Sequence, residues 1–345
     1  MVKKSKKSAK KPPEKKAEAK EPSSGVSFGQ RLRSIFSFSK KRGDGTLNDE
    51  LFFDMLDAGL LEDGNEGDPQ LPQAKADEAE GVIDLGEAAN LQWPEARLKI
   101  VQDIWGKDFL KPGGAEHVIE LIRPLALNAD HTVLDIGAGL GGSSRTIASE
   151  TDAWVTGYES NGDLAQAAME ISKMAGMTRK APISELPPGG LNLKANSVHA
   201  VFSKEALYKI EDKSALFATL NDALRPHGQI MLTDYVAAAE NIETPELQAW
   251  FAHERTSPHL WTTEGYRQHF TENGYDVRVA EDITDKYYSI VVSGFSTFSN
   301  KIKSFRGDRE MEAWSVREAE FWVHRMAPFE KGDLRVCRVF AQKGG

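Results

Sequence analysis

The sequence predicts an α/β protein built on a doubly wound, mostly parallel β-sheet, and two observations predict it. After about Leu91, short apolar runs rich in β-branched residues alternate with longer amphipathic runs, as in strands joined by covering helices. One apolar run, 132–136, passes through a glycine-rich turn directly into a helical segment, which is the local order of a parallel β-α-β unit.

The individual elements follow from their residue patterns. Helical spacing of apolar residues predicts helices, and apolar β-branched runs predict strands, of which the fourth is entered through Pro226 and Gly228. The predicted strands are 132–136, 153–158, 198–203, 229–235 and 334–342, and the predicted helices are 117–125, 142–149, 162–174, 212–224 and 263–273. Because helices separate the strands, both faces of the sheet are expected to be covered.

Charge is distributed unevenly along the chain. The 345 residues carry a formal net charge of −9, yet residues 1–42 hold 14 Lys and Arg against 3 Glu. Residues 43–90 then hold 14 Asp and Glu against one Lys. The sequence therefore predicts three parts: a basic, largely disordered arm at 1–42, an acidic linker at 43–90 with one short helix near 48–58, and a globular domain at 91–345.

The basic arm ends in a segment, 26–42, in which Phe28, Leu32, Ile35 and Phe36 recur at helical spacing among Arg and Lys residues. Such a segment is typical of an amphipathic helix that lies on an anionic membrane surface. Docking on the protein's own surface or on a partner protein is the alternative. The sequence leaves both interpretations open.

Several classes of protein are disfavoured by composition. The single cysteine, Cys337, cannot form an intramolecular disulfide or a thiolate metal site, which favours a reducing compartment. No run approaches the roughly 20 apolar residues of a membrane-spanning helix, and no apolar segment completes a signal peptide after the basic start. The histidines have no ligand spacing, so no metal site is expected. We expect a cytoplasmic protein that is soluble or peripherally bound to a membrane.

The turn after the first predicted strand reads VLDIGAGLGG at 133–142. Its glycines, Gly137, Gly139, Gly141 and Gly142, allow backbone angles that other residues resist and let a ligand approach the main chain closely. Their spacing is Gly-x-Gly-x-Gly-Gly, which differs from the Gly-x-Gly-x-x-Gly of dinucleotide-binding folds. Taken alone, this spacing is weak evidence for any one cofactor.

Two carboxylates beside the turn narrow the choice of cofactor. Asp135 lies at the end of the first strand, where it would repel a pyrophosphate but suits the amino group of S-adenosylmethionine (SAM). The second strand leads to Glu159, whose two oxygens can accept both hydroxyls of a ribose. The sequence therefore predicts SAM as the cofactor, bound by Asp135, the loop glycines and Glu159.

Four further segments carry a closer likeness to a known family: 105–114 (WGKDFLKPGG), 203–210 (SKEALYKI), 212–217 (DKSALF) with 224–228 (LRPHG), and 233–235 (TDY). Over about 91–343 the chain resembles the class I SAM-dependent methyltransferases, and within them the phosphoethanolamine and sarcosine/dimethylglycine N-methyltransferases. The resemblance implies a seven-stranded, Rossmann-like fold and methyl transfer to a small polar or lipid-headgroup amine. It also implies that Ser203 and Glu205 form the floor beside the sulfonium.

The chain departs from the resembled family on the acceptor side. Phosphoethanolamine enzymes use a Tyr and a His to hold the acceptor nitrogen, and those positions fall here on Trp93 and Lys209. Lys209 would serve as a general base only if burial lowers its pKa; otherwise it is an exposed cation. Trp93 would either pack over a methylammonium group or plug the mouth of the site. Tyr208 and Tyr235 are candidates to orient the acceptor, or else ordinary half-buried aromatics.

A cap over the acceptor is expected at 240–266, with Arg255 or Trp261 in contact with it. Two other functions remain open: a SAM-binding scaffold that has lost activity, and a nucleic-acid methyltransferase tethered by the basic arm. The latter is disfavoured, because the chain has no Asn-Pro-Pro-Tyr or Asp-Pro-Pro-Tyr motif and its catalytic region is acidic. The sequence leaves the oligomeric state open.

Overall fold

The computed structural model describes residues 93–187, 190–254 and 256–345. The predictions for the basic arm at 1–42, its segment 26–42 and the acidic linker at 43–90 lie outside these residues. The globular domain predicted at 91–345 is described from residue 93 onward.

The centre of the domain is one sheet of seven strands in the order β3-β2-β1-β4-β5-β7-β6. Strands β1 to β5 pair in parallel, and β7 runs antiparallel to both of its neighbours. The predicted doubly wound, mostly parallel sheet is confirmed. The strands are β1 Thr132–Ile136, β2 Trp154–Glu159, β3 Ile183–Glu185, β4 Val198–Lys204, β5 Leu224–Ala237, β6 Tyr275–Asp282 and β7 Leu334–Lys343.

Helices cover the sheet, and short 3₁₀ turns connect some of them. One such turn, Leu207–Lys209, follows β4 and carries two of the predicted site residues. The α-helices of the described residues are α1 Glu95–Trp105, α2 Gly114–Ile122, α3 Gly142–Thr151, α4 Gly162–Met174, α5 Lys213–Ala223, α6 Pro245–His253, α7 Thr263–Glu272, α8 Thr284–Ile302 and α9 Arg309–Lys331.

Strand β1 shows why an unbroken apolar run marks the middle of this sheet. Val133 belongs to one buried cluster, and its neighbours Leu134 and Ile136 belong to another. Successive side chains of a strand point to opposite faces, so both faces of β1 are buried. The polar exception is Asp135, which is 1% exposed and lies where the strand reaches the glycine turn.

Most predicted elements match in position. The bounds of β1 and α4 are those predicted, whereas β5 begins five residues earlier than predicted, at Leu224. Val198 pairs with Leu224 while Ala200 pairs with Gln229, so the chain between those two β5 residues bulges out of the ladder. The helix predicted at 117–125 begins at Gly114 and ends in a 3₁₀ turn, Arg123–Leu125. No element was predicted for α1, β3, α6, β6, α8 or α9.

Within the described part of the chain, none of the helices is both long and apolar enough to span a bilayer. Cys337 is buried in β7, where it packs as a small apolar side chain.

Candidate functional site

The glycine turn between β1 and α3 is built on left-handed backbone angles. Gly137, Gly139 and Gly141 have φ of 78°, 56° and 79°. A Cβ atom at Gly137 would lie 2.2 Å from Cβ of Ala206, so the backbone of the glycine turn lies directly against the Ala206 side chain after β4. These positions require glycine because any side chain would be strained there and would fill the edge of the sheet.

Glu159, at the end of β2, is tied to the glycine turn. Its Oε2 accepts a hydrogen bond from the main-chain N–H of Gly139 at 2.9 Å. Its Oε1 accepts from the N–H of Asn161 at 3.0 Å and from the Ser160 hydroxyl at 3.2 Å. The carboxylate is 9% exposed and is held in one orientation at the carboxyl edge of the sheet. Among the residues that the structure describes, its hydrogen bonds come from neutral donors and no side-chain cation is paired with it.

Asp135 lies beneath the glycine turn and contacts the first turn of α3. Its Oδ2 accepts a hydrogen bond from the Ser144 hydroxyl at 2.7 Å. Burial raises the pKa of Asp135 to about 6, and the Ser144 hydrogen bond and Lys111 act against this rise. At neutral pH the carboxylate adds a buried negative charge behind the loop. Gly142, which begins α3, has no room for a Cβ, which would lie 2.5 Å from the carbonyl oxygen of Asp108.

The end of β4 supplies the opposite wall of the site. Ser203 donates its hydroxyl hydrogen to the carbonyl oxygen of Ile136 at 2.9 Å, which ties β4 to β1. Glu205 has φ of 40°, a backbone angle that non-glycine residues seldom adopt. Its carboxylate accepts from the Thr233 hydroxyl at 2.6 Å and from Nζ of Lys204 at 2.9 Å. The predicted floor residues therefore lie beside the loop, with their polar groups already engaged.

Lys111 joins the two walls and was not among the predicted site residues. Its Nζ donates to the carbonyl oxygen of Gly137 at 2.9 Å and to that of Lys204 at 2.5 Å. Burial lowers the pKa of Lys111, and the carboxylates of Glu205 and Glu159 oppose this fall. The segment 105–114, which contains Lys111, was singled out only because it resembles the known family. Nothing in its residue pattern shows where the ammonium group of Lys111 lies.

Tyr208 and Tyr235 come together behind the turn after β4. Their ring centroids are 4.9 Å apart, and both side chains are at least 97% buried. Burial raises the pKa of both phenols far above the ordinary value, so both stay protonated. The hydroxyl of Tyr235 is hydrogen-bonded to that of Tyr287 in α8 at 2.6 Å. Tyr287 was not predicted, because it lies 52 residues away in a helix that the sequence analysis did not assign.

Lys209 lies on the same turn, with Nζ 5.3 Å from the centre of the Tyr208 ring. Burial lowers the pKa of Lys209 from its ordinary value. The charge of Glu254 opposes this fall, and the charge of Arg325 adds to it. The sequence analysis made a pKa lowered by burial the condition for Lys209 to act as a general base. The pKa of Lys209 is shifted in that direction.

Glu254 and Arg325 form an ion pair beside these residues, which the sequence analysis missed. Nε of Arg325 is 3.1 Å from Oε1 of Glu254, and the indole N–H of Trp250 donates to the same oxygen at 2.7 Å. The guanidinium lies 5.5 Å from the centre of the Tyr235 ring. The two partners are 71 residues apart in the chain, so no local pattern could have paired them.

Trp93 packs against the same buried cluster as Tyr208 and Tyr235. Its ring is covered by the guanidinium of Arg97, whose Cζ lies 4.2 Å from the ring centre. Arg97 is also paired with Glu318 at 3.0 Å. The packing of Trp93 over a methylammonium group stays a prediction, because the cation over its ring is a side chain of the protein itself.

The predicted cap contains α6 and the loop that follows it. Trp250 of α6 lies 6.0 Å from the rings of both Tyr208 and Tyr235, and the His259 N–H donates to the Tyr208 carbonyl at 2.6 Å. Of the two residues expected to touch the acceptor, Arg255 lies outside the described residues. Trp261 packs against the buried cluster that contains Leu134 and Ile136, with its ring 5.9 Å from that of Phe217. It therefore lies apart from the cluster that contains Tyr208 and Tyr235.

In the described ranges, no group of three or more His, Cys, Asp or Glu residues is arranged to hold a metal ion. The site is instead a set of backbone carbonyls and carboxylates at the carboxyl ends of β1, β2 and β4, next to the buried aromatic cluster of Tyr208, Tyr235 and Trp250. This edge is where open parallel sheets bind their ligands.

Residues 127–288 match the family model of a methyltransferase domain. Phosphoethanolamine N-methyltransferase 1 of Arabidopsis thaliana is 23% identical over 223 residues, covering 65% of this chain and 44% of that protein. The Plasmodium falciparum phosphoethanolamine N-methyltransferase is 24% identical over 208 residues, covering 59% of this chain and 75% of that protein. The matched stretch thus spans less than half of the plant relative.

Solved structures share the fold. Phosphoethanolamine N-methyltransferase 2 of Haemonchus contortus in complex with S-adenosyl-L-methionine superposes with a TM-score of 0.65 at 18% identity, covering 77% of this chain and 61% of that chain. A putative sarcosine dimethylglycine methyltransferase from Galdieria sulphuraria gives 0.60 at 17% identity, covering 72% and 99%. At this identity the likeness concerns architecture.

Proposed function

We propose that this chain, which carries a class I methyltransferase domain, transfers the methyl group of SAM to the amine of a small polar acceptor. The family match bears out the methyltransferase identification made from the glycine turn and the segments beside it. The observation that carries the proposal is the hydrogen bond from Gly139 N–H to Glu159, because it joins the cofactor turn and the acidic end of β2 into one site.

The residues present fit SAM as the cofactor. The left-handed glycines keep the turn free of side chains, so that a ligand can approach its main chain, and Glu159 presents a carboxylate at the end of β2 that would accept the ribose hydroxyls. Backbone carbonyls of Gly137 and Lys204 offer acceptors for an ammonium group. When bound, SAM supplies an electrophilic methyl group on a positively charged sulfonium. This cofactor agrees with the family match and with the complexes among the structural neighbours.

The acceptor amine must reach the methyl carbon with a free lone pair. At neutral pH an alkylamine carries a proton, and we assign its removal to the Nζ of Lys209, whose pKa is lowered by burial. The nitrogen lone pair then forms the N–CH₃ bond as the S–CH₃ bond breaks, and the sulfur keeps the electron pair. The buried rings of Tyr208, Tyr235 and Trp250 pack together beside Lys209 and exclude water there, which favours an attack by a neutral nucleophile.

Relatives named for phosphoethanolamine and for glycine, sarcosine and dimethylglycine suggest two kinds of acceptor. The cationic side chains near the site bear on the choice between an acceptor with a phosphate and one without. Each is already paired with a carboxylate: Arg325 with Glu254, Arg97 with Glu318, and Lys204 with Glu205. A phosphate dianion would have to compete with a carboxylate for any of these cations. Acceptors with and without phosphate therefore belong in the same test.

To test the proposed methyl transfer, the full chain is incubated with a panel of amines and with SAM that is labelled in its methyl group. Phosphoethanolamine, ethanolamine, sarcosine, dimethylglycine and phosphatidylethanolamine vesicles are included, and mass spectrometry follows the label. We expect at least one amine to be labelled and Asp135→Ala to abolish the labelling. If the chain binds SAM but labels neither any amine nor a native cell extract, that result would instead support a SAM-binding scaffold. Labelled nucleic acid in the extract would support a nucleic-acid methyltransferase.

We also propose that the arm at 1–42 holds the protein on an anionic membrane, at the cytoplasmic surface where a lipid-headgroup amine would be presented. The support is the excess of 14 Lys and Arg over 3 Glu in that stretch. Deleting residues 1–42 is expected to abolish binding to phosphatidylserine vesicles and to leave the affinity for SAM unchanged. Undiminished vesicle binding by the truncated protein would refute this proposal.

A further inference from the structure

Lys111 places a cation at the centre of the candidate cofactor site. Its Nζ is hydrogen-bonded to two main-chain carbonyls, Gly137 O at 2.9 Å and Lys204 O at 2.5 Å. These carbonyls stand at the carboxyl ends of β1 and β4, which are neighbours in the sheet. Two acceptors from adjacent strands thus converge on one ammonium group.

The surroundings of Lys111 Nζ favour any cation, not this side chain in particular. The charges of Glu205, Glu159 and Asp135 act on it attractively and that of Lys209 repulsively, and within the described part of the chain its hydrogen bonds go to carbonyls and not to a carboxylate. Its nearest ligands are carbonyl oxygens that belong to the glycine turn and to the end of β4. The same two oxygens and the same negative field suit the α-ammonium group of an amino-acid-like ligand.

We propose that the ammonium group of Lys111 occupies, in the free protein, the subsite of the α-ammonium group of SAM, so that the cofactor must displace it to bind. The inference rests on the proposed function. Two ammonium groups on one pair of carbonyl oxygens would hold like charges next to each other in a half-buried site, which disfavours both being there together. The four-carbon stem of lysine is flexible, so Lys111 can leave without any movement of the backbone.

Lys111 thereby acts as a tethered competitor that sets the affinity for the cofactor. While the cofactor is absent, it neutralises part of the negative field and satisfies both carbonyls. When the cofactor binds, part of the binding free energy goes into removing Lys111 from these partners. Replacing the ammonium group with an uncharged group should therefore tighten binding, which is opposite to the effect of deleting an ordinary ligand contact.

Isothermal calorimetry of SAM with the full chain tests this directly. Lys111→Met keeps the stem and removes the charge, and Lys107→Met, an exposed lysine four residues earlier on the same segment, is the matched control. We expect Lys111→Met to bind SAM more tightly by about tenfold, the value of one charge-assisted hydrogen bond, and Lys107→Met to bind as the unaltered chain does. Equal or weaker binding by Lys111→Met would overturn the inference.

A second measurement needs no variant. An amine-reactive acylating reagent is applied with and without S-adenosylhomocysteine, and the modification of Lys111 and Lys107 is followed by mass spectrometry. Lys111 is expected to react slowly in the free protein and several-fold faster with the ligand, while Lys107 is unchanged. Ligand binding without this increase refutes displacement and leaves the proposed function intact. Failure of both the unaltered chain and Lys111→Met to bind SAM refutes both proposals.

Discussion

The carboxylate of Asp234 accepts a hydrogen bond from the main-chain N–H of Tyr208, with 3.1 Å between Oδ1 and N. Its other oxygen accepts from the hydroxyl of Tyr266 in α7 at 2.8 Å. Asp234 therefore fixes the turn Leu207–Lys209, which carries the proposed base, to the middle of β5. Burial raises the pKa of Asp234 to about 7, because its two hydrogen bonds replace only part of its lost hydration.

The raised pKa of Asp234 predicts a pH-dependent stability. In the unfolded chain an aspartate titrates near pH 4, so between about pH 4 and 7 the folded protein holds a proton that the unfolded chain has lost. The contribution of Asp234 to the free energy of unfolding therefore falls as pH rises, by up to about 1.4 kcal/mol per pH unit. Asp234→Asn should lack this slope, and the exposed Asp222→Asn should keep it. Urea denaturation at several pH values from 5 to 8 measures the free energy of unfolding. If its plots against pH are parallel for Asp234→Asn and the unaltered chain, the prediction is contradicted.

The glycine turn predicts a difference between two Gly→Ala variants. Gly137 and Gly176 both have left-handed angles, with φ of 78° and 71°, but only Gly137 has atoms where a Cβ would go. Both alanines cost about 1 kcal/mol of backbone strain, and Gly137→Ala adds a further 1–3 kcal/mol, roughly, of overpacking against Ala206. Urea denaturation measures the difference, and calorimetry should show SAM binding lost in Gly137→Ala alone. Equal destabilisation by the two alanines would count against a close approach at Gly137.

Glu159 is expected to set much of the affinity for SAM. Glu159→Gln retains an oxygen for the Gly139 N–H but loses the negative charge and one acceptor oxygen. Since a charged acceptor is roughly twice as strong as a neutral one, calorimetry should show a dissociation constant raised by about tenfold or more. Glu150→Gln, on the exposed side of α3, is the control and should bind as the unaltered chain does. An unchanged affinity in Glu159→Gln would place the ribose elsewhere.

Lys209 is expected to give the rate its dependence on pH. The rate constant kcat should rise with pH through a pKa below the ordinary lysine value, since the neutral amine is the active form. The arginine in Lys209→Arg cannot lose its proton, so this variant should have a kcat lower by about a hundredfold. The rise of kcat with pH, the basic limb of the profile, should disappear. Lys194→Arg, at an exposed position, serves as the control. A pH limb that survives in Lys209→Arg would assign the base to another group.

Glu254 should tune the same limb without touching the acceptor. Its negative charge holds the pKa of Lys209 up, so Glu254→Gln should move the limb to lower pH. The freed charge of Arg325 acts in the same direction. Glu246→Gln, on helix α6 that ends just before Glu254, should leave the limb where it is. The measurement is kcat against pH, and a shift to higher pH in Glu254→Gln would contradict the electrostatic coupling.

Local sequence pattern predicted most of the half of the domain that carries the glycine turn, although it missed β3 and Lys111. The bounds of β1 and α4 follow directly from a β-branched run and from helical spacing of apolar residues. Helix α8 was missed because local preference conflicts with its structure: residues 287–298 are rich in Tyr, Val, Ile, Phe and Thr, and Gly294 interrupts them. Packing of its buried face on the sheet and on α1 decides the helical form.

The sequence by itself determined the glycine turn and the two carboxylates beside it, because a strand, its turn and the next strand end are close along the chain. Only the tertiary structure decided what the acceptor side contains. Glu254 meets Arg325 across 71 residues, and Lys111 reaches Lys204 across 93, so each contact depends on how whole elements pack. The same packing determines that Lys209 is half-buried. Its pKa, and with it the proposed chemistry, is a property of the fold and not of the residue type.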